Sequence, residues 1–180
     1  MELYVERGFE QTTVADIAER AGLTARTFFR HFADKREVLF AGSTFLQDSV
    51  VAALAAAPET ATPMEALWAG LDAAAGHLGQ RREHSQLRQT VIAANSELQE
   101  RELIKMASLS AALTGGMRRR GIGDADARLT AEVGIAVLRV AFHQWVTEPH
   151  SDTLVGLMRA TFERVGALTA GRALDDEVEQ

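Results

Sequence analysis

The stretch from Thr12 to Glu37 constrains the fold more than any other part of the chain, because three helical signals and two tight stops follow one another closely. Thr13 and Asp16 have the spacing of a capping box, in which each side chain satisfies a backbone N–H at a helix start. Four apolar residues then recur at helical spacing: Val14, Ile17, Ala18 and Ala21. Gly22, followed by Leu23, is typical of a left-handed C-cap. The pattern predicts a short amphipathic helix that ends in a sharp turn.

A second short helix is predicted directly after this turn, with Thr24 as its N-cap and its body running from Ala25 to Arg30. We expect Leu23, Phe28 and Phe32 to point back toward the preceding helix. The outward face would then carry Thr24, Ala25, Arg26, Thr27, Phe29 and Arg30. Small, hydroxyl, guanidinium and aromatic groups on one face are suited to contacts with base edges and phosphates. The pattern therefore favours a helix that reads DNA.

A third signal begins at Asp34, which has the spacing of another capping box with Glu37. It predicts a long helix from Asp34 to about Ala57, which Pro58 stops. Lys35 and Arg36 fall in the first turn of this helix, where cations oppose the helix dipole. A phosphate bound at that helix end would remove the conflict. We expect this helix to connect the DNA-reading segment to the remainder of the chain.

The run GFEQTTVADIAERAGLTARTFFRHFADKREVLF resembles the N-terminal helix-turn-helix domain of the TetR family of bacterial repressors, from Leu3 to about Phe40. The residues in register are Gly8-Phe9, Thr12-Thr13, Asp16-Ile17-Ala18, Ala21-Gly22, Thr27-Phe28, His31-Phe32 and Lys35. The resemblance implies that Thr13 and Lys35 contact phosphates. It also implies a set of residues in or near the major groove: Ala25, Arg26, Thr27, Phe29, Arg30 and His31.

Two departures from the family pattern bear on this interpretation. The family usually has Tyr where Phe29 stands, so a phosphate hydrogen bond is lost, although the ring can still pack on the DNA backbone or a thymine methyl. The family also usually carries several residues, often basic, before the position of Leu3. We therefore expect the first helix to be truncated, with Met1 to Gly8 as its last part.

The distribution of charge limits how the chain can bind a polyanion. The net charge is −6 at pH 7, and residues 1–40 carry six basic against seven acidic side chains. Between Thr24 and Arg36, however, there are four basic residues and only one acidic residue, Asp34. We expect specific binding by this local patch, with modest non-specific affinity. The run from Arg118 to Arg120 is interpreted instead as cations favoured at a helix C-terminus.

Capped apolar runs favour an all-α fold, in which a three-helix helix-turn-helix domain precedes a helical bundle for ligand binding and dimerisation. The predicted domains are residues 1–45 for DNA binding, 46–172 for effector binding and dimerisation, and 173–180 as an acidic tail. The bundle helices are predicted at Pro63 to about Gly79, Glu83 to Ala94, Ser96 to Arg120, Asp124 to Glu148 and Asp152 to Gly171.

The last two predicted helices carry more apolar surface than one small bundle can cover. Gly134, Gly156 and Gly166 lie inside them despite a cost of roughly 1 kcal/mol each relative to Ala, and close approach of another helix would explain them. These features predict a homodimer through a four-helix interface. The alternative, in which both helices only complete the monomer core, stays open.

Several apolar side chains have no obvious role in a small core, and we expect them to line an effector pocket with two histidines as polar handles. The candidate residues are Trp68, Leu71, His77, Met106, Leu109, Phe142, His143 and Trp145. The alternative, that they are ordinary core residues, also stays open. The segments QLRQTVIAANSELQERELIKM and LRVAFHQWV are similar to a C-terminal domain type of actinobacterial TetR-like regulators, including those of mycofactocin systems. This similarity implies a bulky hydrophobic or acyl-type effector.

Signatures of catalysis are absent from the sequence. It contains no nucleophile elbow, phosphate-binding glycine loop or HExxH helix, and no His has Glu three residues before it. The chain of 180 residues has no cysteine and no apolar run of membrane-spanning length. We therefore expect a cytoplasmic protein without enzymatic activity, metal or other cofactor.

The function predicted from these patterns is a homodimeric, one-component transcriptional repressor. Its partners would be a palindromic double-stranded DNA operator, a second copy of the chain and a small-molecule effector that releases the operator. The first alternative is a ligand-binding helical bundle whose helix-turn-helix no longer reads DNA. The second alternative is a small-molecule enzyme.

Overall fold

The computed structural model describes residues 1–148 and 152–170, and all the regular structure within these residues is helical, as the sequence predicts. Nine α-helices occur in the described part: α1 (Glu2–Arg7), α2 (Val14–Arg20), α3 (Ala25–His31), α4 (Ser43–Ala56), α5 (Pro63–Leu78), α6 (Arg82–Ala93), α7 (Ser96–Arg119), α8 (Asp124–Thr147) and α9 (Leu154–Thr169). The acidic tail predicted at 173–180 lies outside the described residues. Residues 1–41 are called the head below, and α4 to α9 the body.

The local signals around α2 form the contacts that the sequence predicts. The backbone N–H of Asp16 donates to Thr13 Oγ1 at 3.1 Å, and the backbone N–H of Thr13 donates to the Asp16 carboxylate at 2.8 Å. Gly22 adopts φ of 68°. The N–H of Leu23 donates to Ala18 O at 2.8 Å, which closes a Schellman turn. A left-handed glycine therefore sets the corner between α2 and α3.

Helix α3 begins at its predicted cap, because the N–H of Thr27 donates to Thr24 Oγ1 at 3.2 Å. Phe28 is buried, and its ring centroid lies 5.2 Å from that of the half-buried Phe32. The prediction that Leu23 points inward is wrong, since 48% of it is exposed. The turn fixes the backbone N–H of Leu23 at the end of α2. The side chain of Leu23 therefore points to solvent on the outer side of the turn.

The prediction of one long helix from Asp34 to about Ala57 is also wrong. Asp34 accepts from the N–H groups of Arg36 at 2.8 Å and Glu37 at 3.3 Å, and so caps only a 3-10 turn, Lys35–Val38. The chain then reverses through Gly42, whose φ of 88° favours glycine, before α4 begins. The Glu37 carboxylate does not complete a capping box, because it faces Arg101 and Lys105 on α7.

The body is organised around α8, which packs against α5, α7 and α9. The buried residues of this helix are Ala127, Thr130, Ala131, Gly134, Ile135, Val137, Leu138, Ala141, Trp145 and Val146. Side chains of α4, α5, α7 and α9 complete a continuous apolar core, including Leu54, Leu67, Leu113 and Met158. This core is the rigid part of the molecule.

Only one of the three noted glycines is explained by another helix within the subunit. A Cβ at Gly134 would lie 2.5 Å from Leu67 Cδ1, so α5 approaches α8 closely there. A Cβ at Gly156 would meet its own helix cap, with Thr153 Oγ1 at 3.3 Å, and one at Gly166 would meet no atom within 4 Å. At Gly156 and Gly166 no other helix in the described part of the subunit comes close, and the close approach of a helix from a second subunit stays a prediction.

The core of the head is closed by the body. A second apolar cluster contains Tyr4, Phe9, Leu39, Phe40, Val91, Ile92 and Leu98. Its last three members belong to α6 and α7, so the hairpin of these two helices forms one wall of the head. The orientation of the head therefore depends on contacts with this hairpin.

Candidate nucleic-acid interface

Helix α3 presents the outward face that the sequence predicts. The exposed residues of this segment are Thr24, Ala25, Arg26, Phe29, Arg30 and His31, while Thr27 is half-buried. Phe28 anchors the opposite side of the helix, and 57% of the neighbouring Phe29 is exposed, with the two rings in an edge-to-face contact at 5.5 Å. Phe29 thus adds an exposed aromatic ring to the face that carries Arg26 and Arg30.

The cations of α3 differ from the other arginines of the head in having no acidic partner. Three arginines of the head form ion pairs: Arg7 with Asp16 at 3.4 Å, Arg20 with Glu2 at 3.2 Å and Glu6 at 3.0 Å, and Arg36 with Asp34 at 2.6 Å. Among the described residues, Arg26 and Arg30 have no carboxylate within 4.0 Å, and Arg30 lies 3.4 Å from the His31 ring. The uncompensated positive charge of the head is thus concentrated on α3.

These ion pairs lower the pKa of the acids and raise the pKa of Arg20 and Arg36. The hydrogen bond from Arg20 is the main cause that holds the pKa of Glu6 below its usual range. Arg36 lowers the pKa of Asp34 in the same way. Both carboxylates therefore remain charged at neutral pH and neutralise their own arginines, which leaves α3 as the cationic face.

The Lys35 ammonium, a predicted phosphate contact, is used inside the head. Its three N–H groups are satisfied by the carbonyl oxygens of Phe9 at 2.8 Å, Glu10 at 3.2 Å and Thr12 at 3.1 Å. The ammonium also lies 4.3 Å from the centre of the Phe9 ring. The phosphate contact of Lys35 stays a prediction, and the structure adds a role in joining the 3-10 turn to the loop after α1.

Thr13, the other predicted phosphate contact, is exposed, but its hydroxyl is already hydrogen-bonded within the head. Its hydroxyl donates to the Asp16 carboxylate at 2.6 Å and accepts the N–H of Asp16. The backbone and side-chain hydrogen bonds from Thr13 hold the pKa of Asp16 below its usual range. A phosphate at Thr13 would therefore approach a charged carboxylate, which the Arg7 guanidinium partly neutralises.

The structure does not bring the predicted effector residues together around one cavity. Leu71, Leu109 and Trp145 are buried in the core, and Trp68, Met106 and Phe142 are half-buried. His77 and His143 are exposed, so the expected polar handles do not face the core. Periodicity places residues on a face of one helix, but it does not say which faces of different helices meet.

Two hollows border the body helices near some of these residues. A groove of about 120 Å³ lies between α4 and α7, lined by Ser43, Thr44, Leu46, Gln47, Lys105, Met106, Ser108 and Leu109. A wider cleft of about 460 Å³ is lined by Ala75, Gly79, Arg82, Trp145, Asp152, Thr153, Leu154 and Val155. Met106 and Leu109 line the first, and Trp145 lines the second. Sequence reasoning missed the polar lining of both hollows.

Two of the arginines at the end of α7 make contacts within the fold, and the interpretation of the run as cations favoured at a helix C-terminus stays a prediction. Arg120 donates to the carbonyl oxygens of Leu54 at 3.3 Å, Ala57 at 2.8 Å and Pro58 at 2.5 Å, and so caps the end of α4. Arg118 pairs with Asp124 at 2.7 Å. This cationic run is therefore separate from the face of α3.

Residues 1–148 and 152–170 contain no group of three or more His, Cys, Asp or Glu side chains placed to hold a metal ion. No helix within the same residues combines the length and apolar character needed to cross a membrane.

Comparisons with known proteins find similarity in the head and in the overall fold. A family model described as bacterial regulatory proteins, tetR family, matches residues 1–41. The HTH-type transcriptional regulator TcmR of Streptomyces glaucescens is 37% identical over 78 residues, which cover 43% of this chain and 34% of that protein. The match thus spans about a third of the length of this curated relative.

A solved structure extends the similarity to the body. The crystal structure of the TetR family transcriptional regulator PfmR from Thermus thermophilus has a TM-score of 0.50 and 24% identity, with 91% of this chain and 89% of that chain covered. At this identity the similarity concerns the fold alone. It includes the helical body as well as the head.

Proposed function

The chain belongs to the TetR family of bacterial transcriptional regulators, and we propose that it represses transcription by binding an operator as a homodimer. Helix α3 of each subunit enters the major groove of the operator. A small hydrophobic effector bound in the body lowers the affinity for DNA. The protein would act in the cytoplasm, where its operator lies.

The observation that carries this proposal is the pair of exposed arginines on α3 without acidic partners. Arg26 and Arg30 lie one turn apart on a short helix whose remaining exposed side chains are small or hydroxylic, apart from Phe29 and His31. A guanidinium can bind guanine O6 and N7 through two hydrogen bonds, or a phosphate through one or two. Phe29 between them is placed to contact a sugar or a thymine methyl group.

The homodimer is supported by an exposed apolar stripe on the last two helices. Leu129 and Val140 of α8 are 64% and 57% exposed, and Leu168 of α9 is 60% exposed. Val133, Ala136 and His143 continue the line of Leu129 and Val140 along α8 at heptad-like spacing. Such a stripe buries well against its own copy across a two-fold axis. Two copies of α3 would then read half-sites one helical turn, or a multiple of it, apart.

The groove between α4 and α7 is the hollow that best suits the proposed effector. It places Met106, Leu109 and Leu46 against Lys105 and several hydroxyl groups, which would suit an apolar molecule with an acidic group. Its volume of about 120 Å³ is below the roughly 300–1,000 Å³ of typical ligand pockets, so α4 and α7 would have to separate to admit such a molecule. It is adjacent to the start of α4, where the head joins the body. A ligand that binds one arrangement of α4 and α7 better than the other would shift the orientation of the head.

The alternative is a ligand-binding helical bundle whose helix-turn-helix no longer reads DNA. It is favoured by the internal use of Thr13 and Lys35, by Phe29 in place of the usual Tyr and by the net charge of −6. Under this alternative, α3 serves only to cover the head.

Fluorescence anisotropy with DNA that flanks the chain's own gene separates the two functions. The wild-type protein should bind one fragment tightly, and Arg26→Ala should weaken specific binding by about 1–3 kcal/mol and relax the sequence preference. Arg81→Ala is the matched control, because Arg81 is exposed on the turn before α6 and its replacement removes the same charge. Absence of specific binding by the wild-type protein would establish the alternative. Mass spectrometry of a co-purified ligand, followed by its addition to the complex, tests the release step.

A further inference from the structure

The segment Asp34–Phe40, called the coupling turn below, is attached on one side to the head. The Lys35 ammonium binds the three carbonyl oxygens of the loop after α1, as described above. The backbone carbonyl of the same residue accepts the hydroxyl of Tyr4 at 2.5 Å. Burial is the main cause that raises the pKa of Tyr4, so its hydroxyl stays protonated and continues to donate. The coupling turn therefore moves with α1 and the helix-turn-helix.

On its other side the coupling turn is attached to the body by charged groups. The Glu37 carboxylate accepts from Arg101 Nε at 2.6 Å and lies 3.5 Å from Lys105 Nζ. Arg88 of α6 donates from Nε to Leu39 O at 2.8 Å, and its guanidinium lies 4.9 Å from the centre of the Phe40 ring. Both α6 and α7 are thus tied to the turn.

The covalent connection between head and body does not set their relative orientation by itself. Gly42 stands between the coupling turn and α4 with φ of 88°, and a Cβ at this position would meet no atom within 4 Å. A continuous helix would transmit orientation rigidly, but this open glycine corner interrupts it. The constraint is therefore supplied by the apolar cluster that the head shares with α6 and α7 and by the side-chain contacts of the coupling turn.

We propose that Glu37, held between Arg101 and Lys105, is a positioning residue that fixes the head on α7 and thereby sets the separation of the two DNA-reading helices. The part concerning DNA rests on the proposed function, whereas the part concerning the head and the body does not. Glu37 touches no base or phosphate in this assignment. It acts through the orientation of α3.

The position of the three charges explains why Glu37 is suited to this role. Arg101 and Lys105 are four residues apart on one face of α7, and without a carboxylate between them they would repel each other. The Glu37 and Lys105 side chains are only 20% and 24% exposed, so water screens their interaction weakly. The other nearby acid, Glu102, pairs with Arg88 at 2.9 Å. The head core and the Lys35 contacts do not depend on Glu37.

A distance measurement within one subunit tests the positioning role without DNA. The chain has no cysteine, so Glu19→Cys on α2 and Ala111→Cys on α7 place spin labels at two exposed positions, one in the head and one in the body. Labelled protein is diluted with unlabelled protein so that only distances within a subunit contribute. Glu37→Gln should broaden the distance distribution or move its mean. Arg20→Gln, which breaks ion pairs wholly inside the head, is the matched control and should leave the distribution unchanged.

Two further variants guard against a folding defect. Arg101→Gln removes the partner on the body side and should reproduce the effect of Glu37→Gln. The double variant Glu37→Lys with Arg101→Glu reverses the pair and should restore a narrow distribution. Circular dichroism of each variant establishes that its helices are formed. A wild-type distribution in folded Glu37→Gln and Arg101→Gln would overturn the proposal.

Binding to operators of altered spacing tests the consequence for DNA. Wild-type protein should discriminate against an operator with one base pair inserted between its half-sites, and Glu37→Gln should reduce this discrimination by about fivefold or more. Affinity for an isolated half-site should not change, because α3 keeps its own contacts. Unchanged discrimination would overturn the assignment of Glu37 to operator spacing. Failure of the wild-type protein to bind any operator would overturn the proposed function, and the distance measurement would still decide the role of Glu37.

Discussion

The head and the body are stabilised by different kinds of contact. In the body, long apolar side chains such as Leu67, Leu113 and Met117 are fully buried and pack on one another. In the head, a threonine occupies a comparably buried position: Thr12 has no exposed surface, and its Oγ1 lies 2.7 Å from Gly8 O and 3.2 Å from Leu3 O. The head thus adds directional polar contacts to its apolar cluster, whereas the body depends mainly on apolar volume.

This difference suits the two regions to different tasks in a regulator. When apolar volume is removed from a packed core, the free energy of unfolding falls in proportion to the cavity left behind. Such a core also resists small rearrangements. Each polar contact contributes only a modest free energy, so one partner can be exchanged for another that offers better hydrogen-bond geometry. If Glu37 positions the head as proposed, the head can change its orientation while the body stays intact. The predictions that follow test whether the two regions respond to substitution as this contrast requires.

The largest effect is expected from truncation of a core residue in the body. Leu113→Ala should lower the free energy of unfolding by about 2–5 kcal/mol, because it removes buried methyl groups and leaves a cavity. Urea denaturation followed by circular dichroism measures the change. Leu103→Ala on the same helix is the control, since Leu103 is 58% exposed and should change stability by less than about 0.5 kcal/mol. Equal costs at the two positions would contradict an apolar core in the body.

A smaller loss of stability is expected from removal of the lysine that holds the head together. Lys35→Met keeps the length of the side chain but leaves three carbonyl oxygens without their donor, and should cost about 1–3 kcal/mol in the DNA-free protein. Arg26→Met in the same region should cost less than about 0.5 kcal/mol. If Lys35→Met weakened operator binding without any loss of stability, Lys35 would be a phosphate contact and not a structural residue.

Contacts between residues close in sequence could be predicted, and contacts between distant residues could not. The capping box of Thr13 and Asp16 and the left-handed turn at Gly22 involve neighbours within one helical turn, so their spacing identifies them. The contact of Lys35 with Phe9 spans 26 residues, and that of Glu37 with Arg101 spans 64. The sequence offers many other possible partners for each of these charges.

The same distinction applies to the candidate sites. The exposed face of α3 could be predicted because one buried anchor, Phe28, sets the phase of a short helix. The effector residues depend on the relative rotation of separate helices, which the apolar pattern does not contain, and the role of the exposed His77 and His143 in a pocket stays a prediction. The interruption at Gly42 was missed because apolar residues continue on both sides of this glycine.

The close approach of α5 and α8 predicts a further, smaller effect in the body. Gly134→Ala should cost about 1–2 kcal/mol, because its Cβ would lie 2.5 Å from Leu67 Cδ1 and Leu67 is fully buried. At Gly76 of α5, by contrast, a Cβ would meet no atom within 4 Å, so Gly76→Ala should stabilise the protein by up to about 1 kcal/mol. Thermal denaturation of both variants measures the difference. A stabilising Gly134→Ala would mean that Leu67 can move, contrary to a rigid body core.

The smallest effect concerns a feature that the head and the body share. Hydrogen bonds from the side chain and backbone of Thr13 lower the pKa of Asp16 in the head, and hydrogen bonds from the backbone and side chain of Thr62 lower the pKa of Glu65 in the body. A carboxylate whose pKa is lower in the folded than in the unfolded chain stabilises the protein above its unfolded pKa of about 4. This contribution is lost as the pH falls through the folded pKa.

Asp16→Asn and Glu65→Gln remove the titrating group while they keep the shape of the side chain. Each variant should therefore be less stable than the wild-type protein at neutral pH, and the difference should shrink as the pH falls from about 5 to about 2, where the carboxylates are protonated. Because both capping boxes are local and exposed, the two variants should respond alike, whatever else distinguishes the head from the body. Urea midpoints measured across this pH range test the prediction. A difference that persisted at about pH 2 would show that the substitutions act through something other than the charge of the caps.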